Sequence, residues 1–289
     1  MKNIYLGLNC ESIDNKLASE FEGVGLIRSE YLCRNIEEYI TEESCRKYIY
    51  DYVSDICKKF SKKEVWYRFT DLTTNEINTL KGCDHYINEK YHFMGTKGVR
   101  RHLLDINTFK LEAKLISKLS KNNDNLGVII PYISSVEQFI KIKEILYEVG
   151  YIGKIGIMVE IPITVFLIDE FISEGAEMFV VGMNDLTTNM LSGTRESIYH
   201  DKNNLELLKI IKTLKKKCNQ RKKGFMVAGY FNKDNIKTLK KIKDLKIVIN
   251  YANLPNLNAK YNKLKELNIL NDIKKRTKEK RKILREERP

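Results

Sequence analysis

Two acidic side chains stand just past short apolar runs. Glu160 ends Gly156-Ile-Met-Val-Glu160-Ile-Pro162, and Asn184 and Asp185 follow Val181-Gly182-Met183. Arg195 lies ten residues beyond Asp185, and Arg28 and Arg68 close two earlier runs. Two carboxylates beside an amide suit Mg2+, with Mn2+ as a substitute. Such an ion takes oxygen ligands, keeps several waters and recruits anionic substrate oxygens to complete its octahedron. Guanidinium forks nearby would hold carboxylate or phosphate oxygens in pairs. Glu160 alone would read as a strand-end carboxylate, and either arginine alone as an ordinary ion-paired residue. The chemistry therefore depends on a fold that brings these groups together.

Eight short β-rich runs supply it: Ile4 to Leu8, Val24 to Arg28, Val65 to Phe69, Val128 to Tyr132, Lys154 to Glu160, Met178 to Met183, Phe225 to Gly229 and Lys246 to Asn250. Stretches with apolar residues at i, i+3 and i+4 lie between most of them, such as 135–146 and 232–242. Alternating strands and helices imply parallel pairing. Eight units over roughly 250 residues predict a closed (β/α)8 TIM barrel, whose strand C-termini all face one mouth. Ser134-Ser135-Val-Glu-Gln138 has the form of a capping box and predicts a helix start directly after the fourth strand. A helical insertion around Ile36 to Phe60 and a polar loop from Asp71 to about Gly98 break the spacing. The loop leaves a strand C-terminus and is a candidate cover for the mouth. Trp66 and the aromatics of Tyr48-Ile-Tyr50-Asp-Tyr52 read as packing.

The chain has 289 residues, 43% hydrophobic and 31% charged, at the upper end for one domain. It lacks a run of the ~18 apolar residues that a membrane span needs, and its first residues are too polar for a signal peptide, so a cytoplasmic location and no membrane partner are expected. Six cysteines without CxxC spacing predict free, reduced thiols. Of the net charge of +13, +7 sits in 260–289, with 12 Lys/Arg against 5 Asp/Glu. This divides the chain into a barrel over 1–258 and a basic extension over 259–289, helical or frayed and solvated. No aromatics interleave with its cations, so a nucleic-acid partner is not expected.

The motifs resemble the phosphoenolpyruvate (PEP)-utilising enzymes, in their C-terminal PEP/pyruvate-binding barrel, and the PEP synthase branch in particular. Gly23-Val-Gly-Leu-Ile-Arg28-Ser-Glu30-Tyr-Leu is similar to the family's GxGLxRxExL, and Met94-Gly95-Thr-Lys97-Gly98-Val-Arg100 to its LGWRGxR. Tyr67-Arg68-Phe-Thr-Asp71-Leu-Thr-Thr-Asn75-Glu76 resembles the PEP synthase form of another element, and Glu160-Ile-Pro162 and Gly182-Met-Asn184-Asp185-Leu-Thr187 follow in order. The resemblance implies that Glu160 and Asp185 bind Mg2+ and that Asn184 meets a phosphate oxygen. Arg28, Arg68 and Arg195 would contact PEP phosphate and carboxylate, with Lys97 and Arg100 as further substrate-binding residues. It also implies a phosphoryl group delivered by a phosphohistidine on another domain or a separate partner protein. Related barrels often dimerise, but no interface is legible here.

Two departures limit the implied chemistry. Where the family has a proton-transferring cysteine, Gly224-Phe-Met-Val-Ala228-Gly229 has an alanine, which neither donates nor accepts a proton. The arginine of LGWRGxR is Lys97, which keeps the charge and loses the fork. Cys83 and Cys218 are poorly placed to substitute. His85, His92, His102 and His200 carry no phosphohistidine motif and read as loop or surface residues. Three functions stay open: PEP synthase-like phosphoryl transfer, a metal-dependent lyase or aldolase acting through a pyruvate enolate, and a catalytically impaired PEP sensor or partner-binding module.

Overall fold

The computed structural model describes residues 1–83, 89–91, 94–264 and 267–287. Eight parallel strands close into a barrel in sequence order: β1 (Ile4–Leu8), β2 (Val24–Arg28), β3 (Val65–Arg68), β4 (Leu126–Ile130), β5 (Ile155–Val159), β6 (Met178–Gly182), β7 (Gly224–Gly229) and β8 (Lys246–Asn250). β8 pairs with β1 through Ile4 and Ile247, which leaves no sheet edge. The strands are apolar on both faces because helices cover the outside and side chains fill the inside. The predicted barrel is thus the observed one, and the eight runs fall within two residues of the strands.

The largest offset is at β4, which begins at Leu126 and includes Gly127. Gly127 pairs in register with Trp66 on β3, and a Cβ there would stand 2.4 Å from the Trp66 ring. Gly127 therefore makes room for the indole. β4 ends before Tyr132, whose backbone is left-handed (φ 53°). The helix Val136–Glu148 starts as predicted, with Ser135 Oγ accepting from the Gln138 amide. The return bond is displaced by one residue, because Gln138 Oε1 accepts from the Ser134 amide at 2.8 Å.

The insertion predicted around Ile36 to Phe60 is two helices, Ser29–Ile36 and Glu43–Lys59, separated where Glu37 turns left-handed (φ 60°). The loop from Asp71 carries a short helix, Thr74–Ile77, with a Thr73–Glu76 capping box. The basic C-terminal segment is a helix, Leu267–Glu287, and it is docked on one face rather than solvated. Leu270 and Ile273 pack on Tyr31, Thr277 Oγ1 accepts from Arg34 Nε at 3.2 Å, and Arg276 and Lys280 both pair with Glu37. All six cysteines are thiols rather than disulfides. Among the described residues, no helix is long and apolar enough to cross a membrane.

Candidate functional site

Alternation along the strands builds the site. Inside the barrel, Leu26, Trp66, Met158, Ala228 and Val248 belong to one apolar cluster. Two residues further toward the strand C-termini, on the same face, come Arg28, Arg68, Glu160, Tyr230 and Asn250. The apolar plug thus gives way to a polar layer at the mouth. Arg28, Arg68, Glu160, Asn184, Asp185 and Arg195 line one cavity that opens to solvent, with Ala228, Tyr230 and Asn250 completing the wall.

Glu160 is buried. Its Oε1 accepts from the Tyr132 amide at 2.8 Å, and its Oε2 has no partner. Burial drives the Glu160 carboxyl up to about 7; Asp71 and Asp185 push the same way, while Arg68 and Lys97 pull against them. Asp185 behaves oppositely: burial would raise it, but Lys97 and Arg195 outweigh burial and hold it below its ordinary value. Arg195 Nη2 lies 2.8 Å from Asp185 Oδ1, and its side chain is half exposed at the rim. Gly182 lies beside Glu160, where a Cβ would stand 2.8 Å from Oε2.

Arg68 is buried against Glu30, with Asp71 Oδ2 at 3.4 Å. Arg28 Nε meets Glu30 at 3.0 Å, and Arg28 Nη1 donates to the Tyr230 hydroxyl at 2.9 Å and to Asn9 Oδ1 at 3.4 Å. Glu30 Oε2, Arg68 Nε and Asp71 Oδ1 join Glu160 Oε2 as buried polar atoms without partners. Orphaned groups so concentrated call for an explanation, and a bound polar ligand is one.

Lys97 and Arg100 stand apart from the cavity wall. Lys97 Nζ is 3.8 Å from Asp71 and 4.3 Å from the Tyr132 ring centroid, and the Arg100 guanidinium is 4.8 Å from that centroid. Arg100 also donates to the Met94 carbonyl at 2.8 Å. The Lys97 charge nonetheless acts on both Asp185 and Glu160. His200 Nε2 donates to the Asn184 carbonyl at 3.0 Å. His102 is buried rather than on the surface: its ring stacks on Phe109 at 4.7 Å, and burial pushes its pKa down to about 3. His85 and His92 lie outside the described residues. Cys218 is buried in the helix Leu205–Gln220, with burial pushing its thiol up to about 12.

The oxygen donors fit Mg2+ or Mn2+: a buried carboxylate with one unpartnered oxygen, a second carboxylate, and space left by Gly182. Among the described residues, no three acidic, His or Cys side chains converge to hold a metal by themselves. Two protein carboxylates suit an ion that completes its shell with water and substrate. Asn9, Glu30, Asp71, Tyr132, Tyr230 and Asn250 escaped selection as site residues. Position could have found most of them, since each lies at or just past a strand C-terminus.

A profile described as "PEP-utilising enzyme, PEP-binding domain" matches residues 2–252. A probable phosphoenolpyruvate synthase of Pyrococcus horikoshii is 30% identical over 226 residues, which is 73% of this chain and 28% of that protein. The phosphoenolpyruvate synthase of Pyrococcus furiosus is 29% identical over the same shares. That of Aeropyrum pernix is 32% identical over 213 residues, 67% of this chain and 26% of the relative. The chain spans little more than a quarter of the length of these relatives.

Proposed function

The chain belongs to the PEP-utilising enzymes through their PEP-binding domain, and from that premise we propose that its mouth binds PEP, pyruvate or a related 2-oxo acid together with Mg2+. The observation that carries this reading is the convergence of Glu160, Asp185, Asn184 and three arginines on one cavity, with Glu160 Oε2 and Arg68 Nε unpartnered. Glu160 and Asp185 would hold the ion, which when bound supplies positive charge beside the substrate oxygens. Arg28 and Arg68 are held in place by Glu30, so their charge is set before an anion arrives. Arg195 reaches in from the rim, where Asp185 parks it. Phosphoryl transfer of the PEP synthase type would use these groups for positioning and charge neutralisation, with a separate phosphohistidine protein and nucleotide site as donor.

A second reading is favoured by Ala228, which lines the cavity with a methyl group where a thiol is expected. Space beside an enolate carbon would admit a carbon electrophile, and the mouth would then act as a 2-oxo-acid lyase or aldolase.

Calorimetric titration with oxalate, an enolpyruvate mimic, tests the shared premise. Binding is expected with Mg2+ and not with chelator, and Asp185→Ala should remove the metal-dependent part. Equal affinity in the wild type and Asp185→Ala would refute the assignment. Turnover of pyruvate, PEP or a 4-hydroxy-2-oxo acid then separates a transferase or lyase from a sensor that only binds.

A further inference from the structure

We propose that Tyr230 is the acid–base group of this mouth, transferring the proton at substrate carbon that Ala228 cannot. The inference rests on the mouth holding an enolisable 2-oxo acid. Tyr230 is the next inward-facing position beyond Ala228, about 7 Å further along the chain, and both residues line the same cavity. Its hydroxyl lies 2.9 Å from Arg28 Nη1, so the oxygen and a substrate-facing cation share one wall.

Tyr230 is held through both its backbone and its ring. Its carbonyl accepts from Lys202 Nζ at 2.7 Å, and its amide donates to Asn184 Oδ1 at 3.4 Å. The ring centroid lies 5.7 Å from the Arg28 guanidinium and 5.5 Å from Lys274 Nζ. Lys274 belongs to the C-terminal helix, outside the residues 2–252 that the family profile matches.

Tyr230 is therefore enclosed by Arg28 from β2, Tyr31 from the following helix and Lys274 from the C-terminal helix, with Lys202 at its carbonyl. Burial would raise the phenol, but Arg28 and Lys274 more than reverse this, and it ionises more readily than a free tyrosine. In the enolising direction a C3–H bond of pyruvate breaks and the phenolate oxygen takes the proton. The released electron pair forms the C2–C3 double bond, and the charge moves to the carbonyl oxygen, facing Arg28 and Arg68. Ketonisation is the reverse, with the phenol O–H giving its proton to C3.

The test is exchange of pyruvate methyl protons in D2O, followed by NMR on the full chain with Mg2+ and inorganic phosphate present, alongside oxalate titration. Tyr230→Phe should slow exchange by roughly 10²–10⁴-fold while oxalate affinity changes by less than about threefold. The wild-type rate should rise with pH as the phenol ionises, and that rise should vanish in the variant. Adding Ala228→Cys to Tyr230→Phe should restore exchange at least about tenfold, which a merely structural tyrosine would not allow. Unchanged exchange in Tyr230→Phe overturns the proposal, as does oxalate binding by the wild type without exchange. Parallel loss of exchange and affinity would make Tyr230 a clamp for Arg28 and overturn it too. A wild type that fails to bind oxalate refutes the reading of the mouth itself, and the proposal with it.

Discussion

Glu160 concentrates the demands of the site in one side chain. One oxygen is pinned by the amide of Tyr132, a residue in the left-handed region that aromatic side chains rarely adopt, and the other faces Gly182 without a partner. The carboxylate therefore has little freedom to move aside. Gly182→Ala would place a methyl 2.8 Å from Oε2 and 3.0 Å from Met158 Cε, and the neighbours must shift. A fold destabilised by about 1–3 kcal/mol is expected, with metal-dependent oxalate affinity reduced more than about tenfold. Thermal melts and calorimetry on the same preparation check both, and wild-type affinity would show that Glu160 has no part in binding. Glu160, Asp185, Arg28 and Arg68 were legible in the sequence because charged residues at the ends of apolar runs stand out. Asn250 and Tyr230 did not stand out, since amide and aromatic residues are also common in loops and packing. Only the two-residue alternation from Val248 and Ala228 marks them as facing inward.

At the scale of elements, the C-terminal helix departs most from expectation. Its charge suggested a solvated rod, and the signal for docking is only a short stripe, Leu270, Ile273 and Thr277 at i, i+3 and i+7, between many lysines and arginines. That stripe suffices because Tyr31 and Arg34 meet it, and because Glu37, in its left-handed turn, receives both Arg276 and Lys280. Arg34 Nη1 also reaches Glu76 at 3.1 Å, which ties the helix Ser29–Ile36 to the capping box of Thr74–Ile77. The docking should be a separable unit of stability, small beside the barrel. Ile273→Ala, at a fully buried position, is expected to cost about 2–4 kcal/mol locally. Hydrogen exchange read by mass spectrometry should then accelerate across 270–287, with the barrel strands unchanged. Equal acceleration in the strands would mean that the helix and barrel unfold together, and no acceleration would mean that the stripe contributes nothing.

The molecule as a whole was readable because a parallel barrel writes its strands as apolar runs at regular spacing, whatever the residues at its mouth. Less readable were the buried charges that join its layers. Glu112, on the helix Ile106–Ser120, accepts from the Tyr67 hydroxyl at 2.8 Å, the Thr70 amide at 3.1 Å and the Thr70 hydroxyl at 2.9 Å. It thus joins the outer helical layer to β3 and the residues just past it. Burial raises its carboxyl from 4.5 to about 7, against the pull of these three donors. An unfolded glutamate loses its proton near 4.5, so between there and about 7 the folded chain binds the extra proton. Stability from this group is therefore fully present below pH 4.5, falls as pH rises through the window, and is gone above about 7. At about 1.4 kcal/mol per unit the loss is on the order of 3 kcal/mol. Glu112→Gln keeps the shape and a carbonyl acceptor but has no proton to lose. Urea unfolding at pH 5, 6, 7 and 8 should give a wild-type stability that declines more steeply from pH 5 to 7 than that of Glu112→Gln. Parallel curves for the two proteins would show that Glu112 is already ionised in the folded barrel at pH 5, held by its three donors.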